Sequence, residues 1–155
     1  MKKSLLIITS LFWLGCFSQA INVDTSTYTI PELVTDVLVN KNCVPVNNIS
    51  SRTGTQFGST NGIGYFENTN PSFPLSSGVI LSTGNVTNAP GPNTIQLNDG
   101  NATWPGDSDL EATLLAAGIS MNSTNATVLE FDFIPFSPNF NFQFLFASEE
   151  YGNFQ

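Results

Sequence analysis

The chain has no histidine, and only four of its 155 residues are lysine or arginine. Without histidine, a Ser-His-Asp triad, a Cys-His dyad and histidine-ligated zinc are excluded within these residues. The cations are Lys2, Lys3, Lys41 and Arg52, set against 12 acids, for a formal net charge of −8. A surface of that sign repels phosphate backbones and anionic headgroups, so nucleic-acid binding is discarded as a function class. Charged residues make up only 10% of the chain, yet 13 residues are Phe. A disordered acidic tail lacks such aromatics. Together with many Asn, Thr, Ser and Gly, this mixture predicts a sheet protein rich in loops.

Long apolar runs are also lacking. The longest, Leu5 to Phe17, falls short of the roughly 20 residues that cross a bilayer. It follows Lys2 and Lys3 and precedes Ser18-Gln19-Ala20, which sets small residues at the third and first positions before a cleavage point. That layout predicts a secretory signal peptide over 1–20, cut after Ala20, and an exported mature chain with no transmembrane segment. Leu14-Gly15-Cys16 offers a rival, a lipoprotein signal with Cys16 as lipid-bearing first residue, although Trp13 suits it poorly. Both readings take the protein out of the cytoplasm.

Cysteine is scarce as well. After cleavage at Ala20 only Cys43 remains, an odd count for an oxidising compartment. A buried small residue, a partner cysteine beyond Gln155 and a reactive thiol all stay open.

The mature stretch has the length of one domain. Thr29-Ile30-Pro31-Glu32 has the form of a capping box with proline at the first helical position, and predicts a short helix over 31–39. Val44 to Ile49 reads as a strand, 52–64 as loop or ragged strand, and Ser77 to Thr83 as a buried strand. Residues 85–106, with Pro90, Pro92 and Pro105, read as a long loop, a length that often carries function. Asp107-Ser108-Asp109-Leu110-Glu111 opens a second helix that stops at Gly118.

The clearest pattern comes last. In 128–134 Leu129, Phe131 and Phe133 share one face and Glu130 and Asp132 the other, and in 140–146 every even position is Phe. Both are period-two strands, and Pro135-Phe136-Ser137-Pro138 is short enough to join them as a hairpin. The predicted fold is mainly β: an antiparallel, jelly-roll-like β-sandwich with one or two short helices.

Five segments resemble the choice-of-anchor L domain family of exported bacterial proteins. They are Pro74 to Asn85 (PLSSGVILSTGN), Gly91-Pro92-Asn93, Gly106 to Leu110 (GDSDL), Val128 to Pro135 (VLEFDFIP) and Phe144 to Tyr151 (FLFASEEY). The resemblance implies one such domain over 21–155 that is incomplete at its C-terminus. It further implies an extracellular or cell-surface module attached by varied C-terminal sorting devices, with no catalytic role to carry over.

Several residues could carry chemistry. Glu130 and Asp132 place carboxylates roughly 6 to 7 Å apart on one strand face, a spacing that suits a glycosidase pair in outline and equally a solvated face. Asp107, Asp109 and Glu111 gather three carboxylates in five residues, as calcium prefers, while helix capping accounts for the same residues. Glu149 and Glu150 end the last aromatic strand, and with Asp107 and Asp109 form the candidate calcium site. Trp104, Tyr65 and Phe66 are candidates for stacking on sugars, Trp104 beside Pro105 and Gly106 foremost. The expected function is a non-catalytic surface module for adhesion, binding or structure, possessing calcium as its cofactor and an extracellular protein or glycan as its partner. The alternative is a secreted glycan-acting hydrolase or its carbohydrate-binding accessory.

Overall fold

The computed structural model describes residues 21–39, 44–68, 70–71, 73–91, 97 and 99–148. Five strands and two short helices account for the main elements: β1 Ile21–Asp24, α1 Ile30–Glu32, β2 Val46–Arg52, β3 Ile63–Asn68, β4 Ser77–Leu81, α2 Ser108–Ala116 and β5 Val128–Phe133. The strands form two open antiparallel sheets, one ordered β1-β3-β4 and the other pairing β2 with β5. The mainly-β, antiparallel expectation with short helices is therefore met.

Local chemistry explains most boundaries. Thr29 and Glu32 close the expected capping box at the start of α1. The helical path then continues through Leu33–Leu38 with a wider winding, in which the Val39 N–H reaches the Val34 carbonyl at 2.9 Å, and it buries Leu33 and Val34. At the end of α2, Gly118 adopts φ +83°. Its N–H bonds to the Leu115 carbonyl and that of Ile119 to the Leu114 carbonyl, both at 2.9 Å. Only a residue without a Cβ takes that left-handed position at low cost.

In the first sheet β3 is central. Phe66 lies opposite Gly78, and a Cβ at Gly78 would stand 3.0 Å from its ring, so the aromatic covers the space the glycine leaves. In the second sheet the register advances three residues from Asn47 to Ser50 against two from Asp132 to Glu130. One extra residue bulges out of β2 there, and Asn48 takes φ +52°.

A polar knot joins the sheets at one end. Thr53 follows β2, Gly62 precedes β3, Ser82 follows β4 and Thr127 precedes β5. The Gly62 N–H donates to Thr53 Oγ1 at 2.6 Å, the Thr127 hydroxyl to the Ser82 carbonyl at 2.6 Å, and the Ser82 N–H to the Gly62 carbonyl at 2.7 Å. A Cβ at Gly62 would meet Thr127 Oγ1 at 2.0 Å, so four chain segments converge only because position 62 is bare.

Four expectations need correction. Strand β2 runs from Val46 to Arg52 rather than 44–49, and β4 ends at Leu81 as a half-buried edge strand. β1 and β3 were not anticipated as strands. Among the described residues, 140–148 join no ladder, and β5 pairs with β2 in place of a hairpin with them. Pro135 and Pro138 supply no N–H to a tight ladder, and the Ile134 N–H is taken by the Pro45 carbonyl at 3.2 Å, which prolongs pairing on the β2 side.

Candidate functional site

Trp104 and the acidic turn after it form one connected region. Asn101 sets up the approach: its Oδ1 accepts from the N–H groups of Thr103 and Trp104, both at 3.1 Å. The Thr103 hydroxyl donates to the Phe57 carbonyl at 2.7 Å, fastening the loop to the 54–57 turn. Trp104 then enters the interior with 0% of its surface exposed. Its indole N–H donates to the Ala126 carbonyl at 2.9 Å, and its ring lies against Gly54, where a Cβ would stand 2.5 Å away.

This placement corrects the reading of Trp104 as an exposed stacking platform. Both faces of the indole are covered, so the ring contributes core packing and one buried hydrogen bond. Of the two other candidates, Phe66 is buried and Tyr65 is half-buried against Tyr28, ring centroids 5.0 Å apart. No signal in the sequence pointed Trp104 toward Gly54, since contacts between distant loops leave no periodicity.

Two residues on, Asp107 caps α2. Its Oδ1 accepts from the N–H groups of Asp109 and Leu110 at 3.1 and 3.0 Å, while Oδ2 takes the guanidinium of Arg52 at 3.1 Å. Arg52 is the one cation among the described residues. A carboxylate at a helix N-terminus is favoured by the helix dipole and by N–H groups that have no helical partner. Glu111 reaches back across the turn: its Oε1 accepts from the Ser123 N–H at 2.7 Å and hydroxyl at 2.8 Å, and Ser123 Oγ accepts from the Asp107 N–H at 2.8 Å. Gly106 makes room, because a Cβ there would stand 2.0 Å from Ser123 Oγ.

The structure therefore brings Asp107 and Glu111 together through Ser123, with Asp109 exposed on the first turn of α2. Glu149 and Glu150 lie outside the described residues. Among the described residues, no group of three or more acids or cysteines is arranged to hold a metal ion. Sequence reasoning missed Arg52 and Ser123, both of which approach from distant strands and loops.

Glu130 and Asp132 occupy the exposed face of β5. Each is bonded across to β2: Asp132 Oδ2 accepts from the Asn48 amide at 2.5 Å and Glu130 Oε2 from the Ser50 hydroxyl at 3.3 Å. A separate open cleft of about 570 Å³ lies beside α1, with Asp24, Tyr28, Gln56 and Asn61 on its walls. Asp24 is tied into its own turn, and the Thr27 hydroxyl foremost, then the Ser26 N–H and hydroxyl and the Thr27 N–H, hold its carboxyl far below the usual carboxylate range. Gln56 and Asn61 bond to neighbouring backbone. Neither Glu130 nor Asp132 lines this cleft or the smaller one of about 330 Å³ beside α2.

No helix among the described residues is long and apolar enough to cross a membrane. No curated protein and no solved structure matches the chain. The sequence profile of the choice-of-anchor L domain matches residues 22–155, nearly the whole of the chain from the start of β1 onward. Three of the five segments behind the resemblance fall on β4, the start of α2 and β5, while residues 144–148 of the last segment join no ladder. On that match the chain belongs to the choice-of-anchor L domain family, whose modules are found on exported and cell-surface proteins.

Proposed function

We propose that the chain is a non-catalytic module of an exported protein, acting outside the cytoplasm by binding an extracellular protein or glycan or as a structural unit. What supports this reading most directly is how the candidate carboxylates are engaged. Asp107 and Glu111 hold the α2 cap and the loop carrying Ser123, and Glu130 and Asp132 bond to β2 on an exposed strand face. A glycosidase instead needs two carboxyl groups about 5 to 9.5 Å apart across the sugar, within a groove that holds it. Reducing-end release from a panel of polysaccharides tests the point. Release that disappears in Glu130→Gln would establish the hydrolase; retention of polysaccharide or cell envelope without release agrees with a binding module.

Calcium belongs to the same reading as a stabilising ion. Asp107 already has both oxygens engaged, so Asp109 is the exposed carboxylate of this turn open to an ion, and Glu149 and Glu150, outside the described residues, stay candidate ligands by their sequence alone. A ligand bound only by the native state raises the unfolding midpoint. A rise of several degrees with calcium, reversed by chelator and lost in Asp109→Asn, is the expected result. No rise removes the ion and leaves these acids as capping and surface groups.

A further inference from the structure

We propose that the open cleft beside α1 is a binding site for a short stretch of neutral glycan. This inference rests on the reading of the chain as a binding module, and it names the ligand class and its place. The cleft lies where the ends of both sheets meet α1: Asp24 closes β1, Ser51 stands near the end of β2, Ile63 and Gly64 open β3, and Thr55 and Gln56 belong to the 54–57 turn. Its volume of about 570 Å³ falls among the roughly 300 to 1,000 Å³ of small-ligand sites.

The chemistry of the walls selects the ligand. Thr25, Tyr28, Ser51 and Thr55 line the cleft, and no hydrogen bond among the described residues uses their hydroxyls. Gln56 and Asn61 each give one amide hydrogen to backbone, Gln56 to the Ser51 carbonyl at 3.1 Å and Asn61 to the Ile63 carbonyl at 2.9 Å. A second hydrogen remains on each amide. Hydroxyls that both donate and accept, amide hydrogens and the Asp24 carboxylate match the adjacent hydroxyls of a sugar ring, while Leu33 and Ile63 add apolar lining suited to its C–H groups. These walls are also preformed. Gln56 accepts from the Thr53 N–H at 2.6 Å and Asn61 from the Ile63 N–H at 3.2 Å, so two bonds fix each amide and little ordering remains to oppose binding.

Charge excludes the acidic sugars. Asp24 stays ionised, because hydrogen bonds from Ser26 and Thr27 favour its charged form, and the lining holds no Lys or Arg. Arg52, next to Ser51 in the chain, is paired with Asp107. A uronate, sulfate or phosphate would meet a carboxylate and no counter-charge. Shape disfavours a protein partner, since protein interfaces are anchored by aromatic side chains on a broad surface, and this site is a concave wall of hydroxyls and amides.

Affinity electrophoresis of the full exported chain tests the site, in gels holding a neutral β-glucan, mannan or xylan, or acidic alginate or polygalacturonate. Retardation by a neutral polymer and by neither acidic one is expected. Thr55→Trp, at an exposed position of the turn, fills the cleft and is expected to weaken retention about tenfold or more, and Tyr28→Phe, which removes one hydroxyl and keeps the ring, about two- to tenfold. Tyr28→Phe keeps the test open should the new tryptophan disturb the turn. No retardation by any neutral polymer, or stronger retardation by an acidic one, overturns the ligand class and leaves the chain a module for a protein partner or a structural unit. Retardation unchanged in both variants overturns the site alone, as does retardation lost only when Phe144 and Phe146 are replaced by Ser, which moves the glycan to the exposed aromatic stretch. Release of reducing ends from the retained polymer would instead overturn the non-catalytic reading beneath the proposal.

Discussion

Around Trp104 the chain is drawn inward by residues that are small or polar, whereas from Ile134 to Ser148 a far more aromatic stretch stays outside. The loop before α2 buries its tryptophan completely, using Gly54 for space, Ala126 as hydrogen-bond acceptor and Asn101 to shape the turn. In the second region Phe136, Phe140, Phe142, Phe144 and Phe146 are all exposed, Phe144 at 78% and Phe146 at 80%. Phe133 and Phe140 touch at 4.8 Å, and Phe142 and Phe144 stack at 6.4 Å, so the rings find each other along the chain. Hydrophobicity alone does not bury a side chain. Burial needs a facing surface with bare positions and main-chain acceptors, which the knot of Thr53, Gly62, Ser82 and Thr127 helps to organise for Trp104.

The comparison is broken most severely at Trp104 itself. Trp104→Ala removes the largest fully buried side chain and the bond to Ala126, and a loss of about 3 to 5 kcal/mol is expected for an aromatic truncated in a core. Urea denaturation of the exported chain measures it. Thr53→Val should act next: the buried Gly62 N–H loses its acceptor with no change in side-chain shape, costing about 1 to 3 kcal/mol. A neutral result at either position would mean that the loops are held elsewhere.

At Asp107 two roles separate by substitution. Asp107→Ala removes both the cap and the Arg52 pair and is expected to cost about 0.5 to 2 kcal/mol. Asp107→Asn keeps a capping oxygen and loses only the pair. Side chains 35% and 26% exposed make that a partly screened contact worth at most about 1 kcal/mol. Equal losses in the two variants would assign the effect to the ion pair.

Elements whose signal is local were legible in the sequence. The capping box of α1, the α2 N-cap, Gly118 after the helix and the alternation of 128–133 all follow from residues within a few positions of one another. β3 was hidden because Gly64 and Asn68 dilute its apolar residues, and the reason for Gly64 lies in the approach of β1, far away in sequence. β1 was hidden because its four residues, Ile21–Asp24, are too few to display a period. The Asp107 and Glu111 carboxylates were legible as helix-start acids, but their joint bonding through Ser123 was not, because it depends on a loop packed against Gly106. Residues 140–146 show the opposite failure: the period-two pattern is real, but a strand also requires a partner edge, which the pattern does not specify.

That last region offers the smallest expected change in stability and the sharpest contrast. Replacing Phe144 and Phe146 together by Ser removes two rings that the fold does not enclose, so the urea midpoint should move by no more than about 0.5 kcal/mol, as for substitutions at unburied positions. Self-association should respond in the opposite sense. The stretch from Ile134 to Ser148 contains no charged residue in a chain of net charge −8, so nothing there repels a second copy, and contiguous apolar surface of this kind favours aggregation. Sedimentation velocity and binding of an apolar dye are expected to fall in the double variant while stability holds. A large loss of stability would instead place these rings inside the folded structure in solution, and the contrast with Trp104 would disappear.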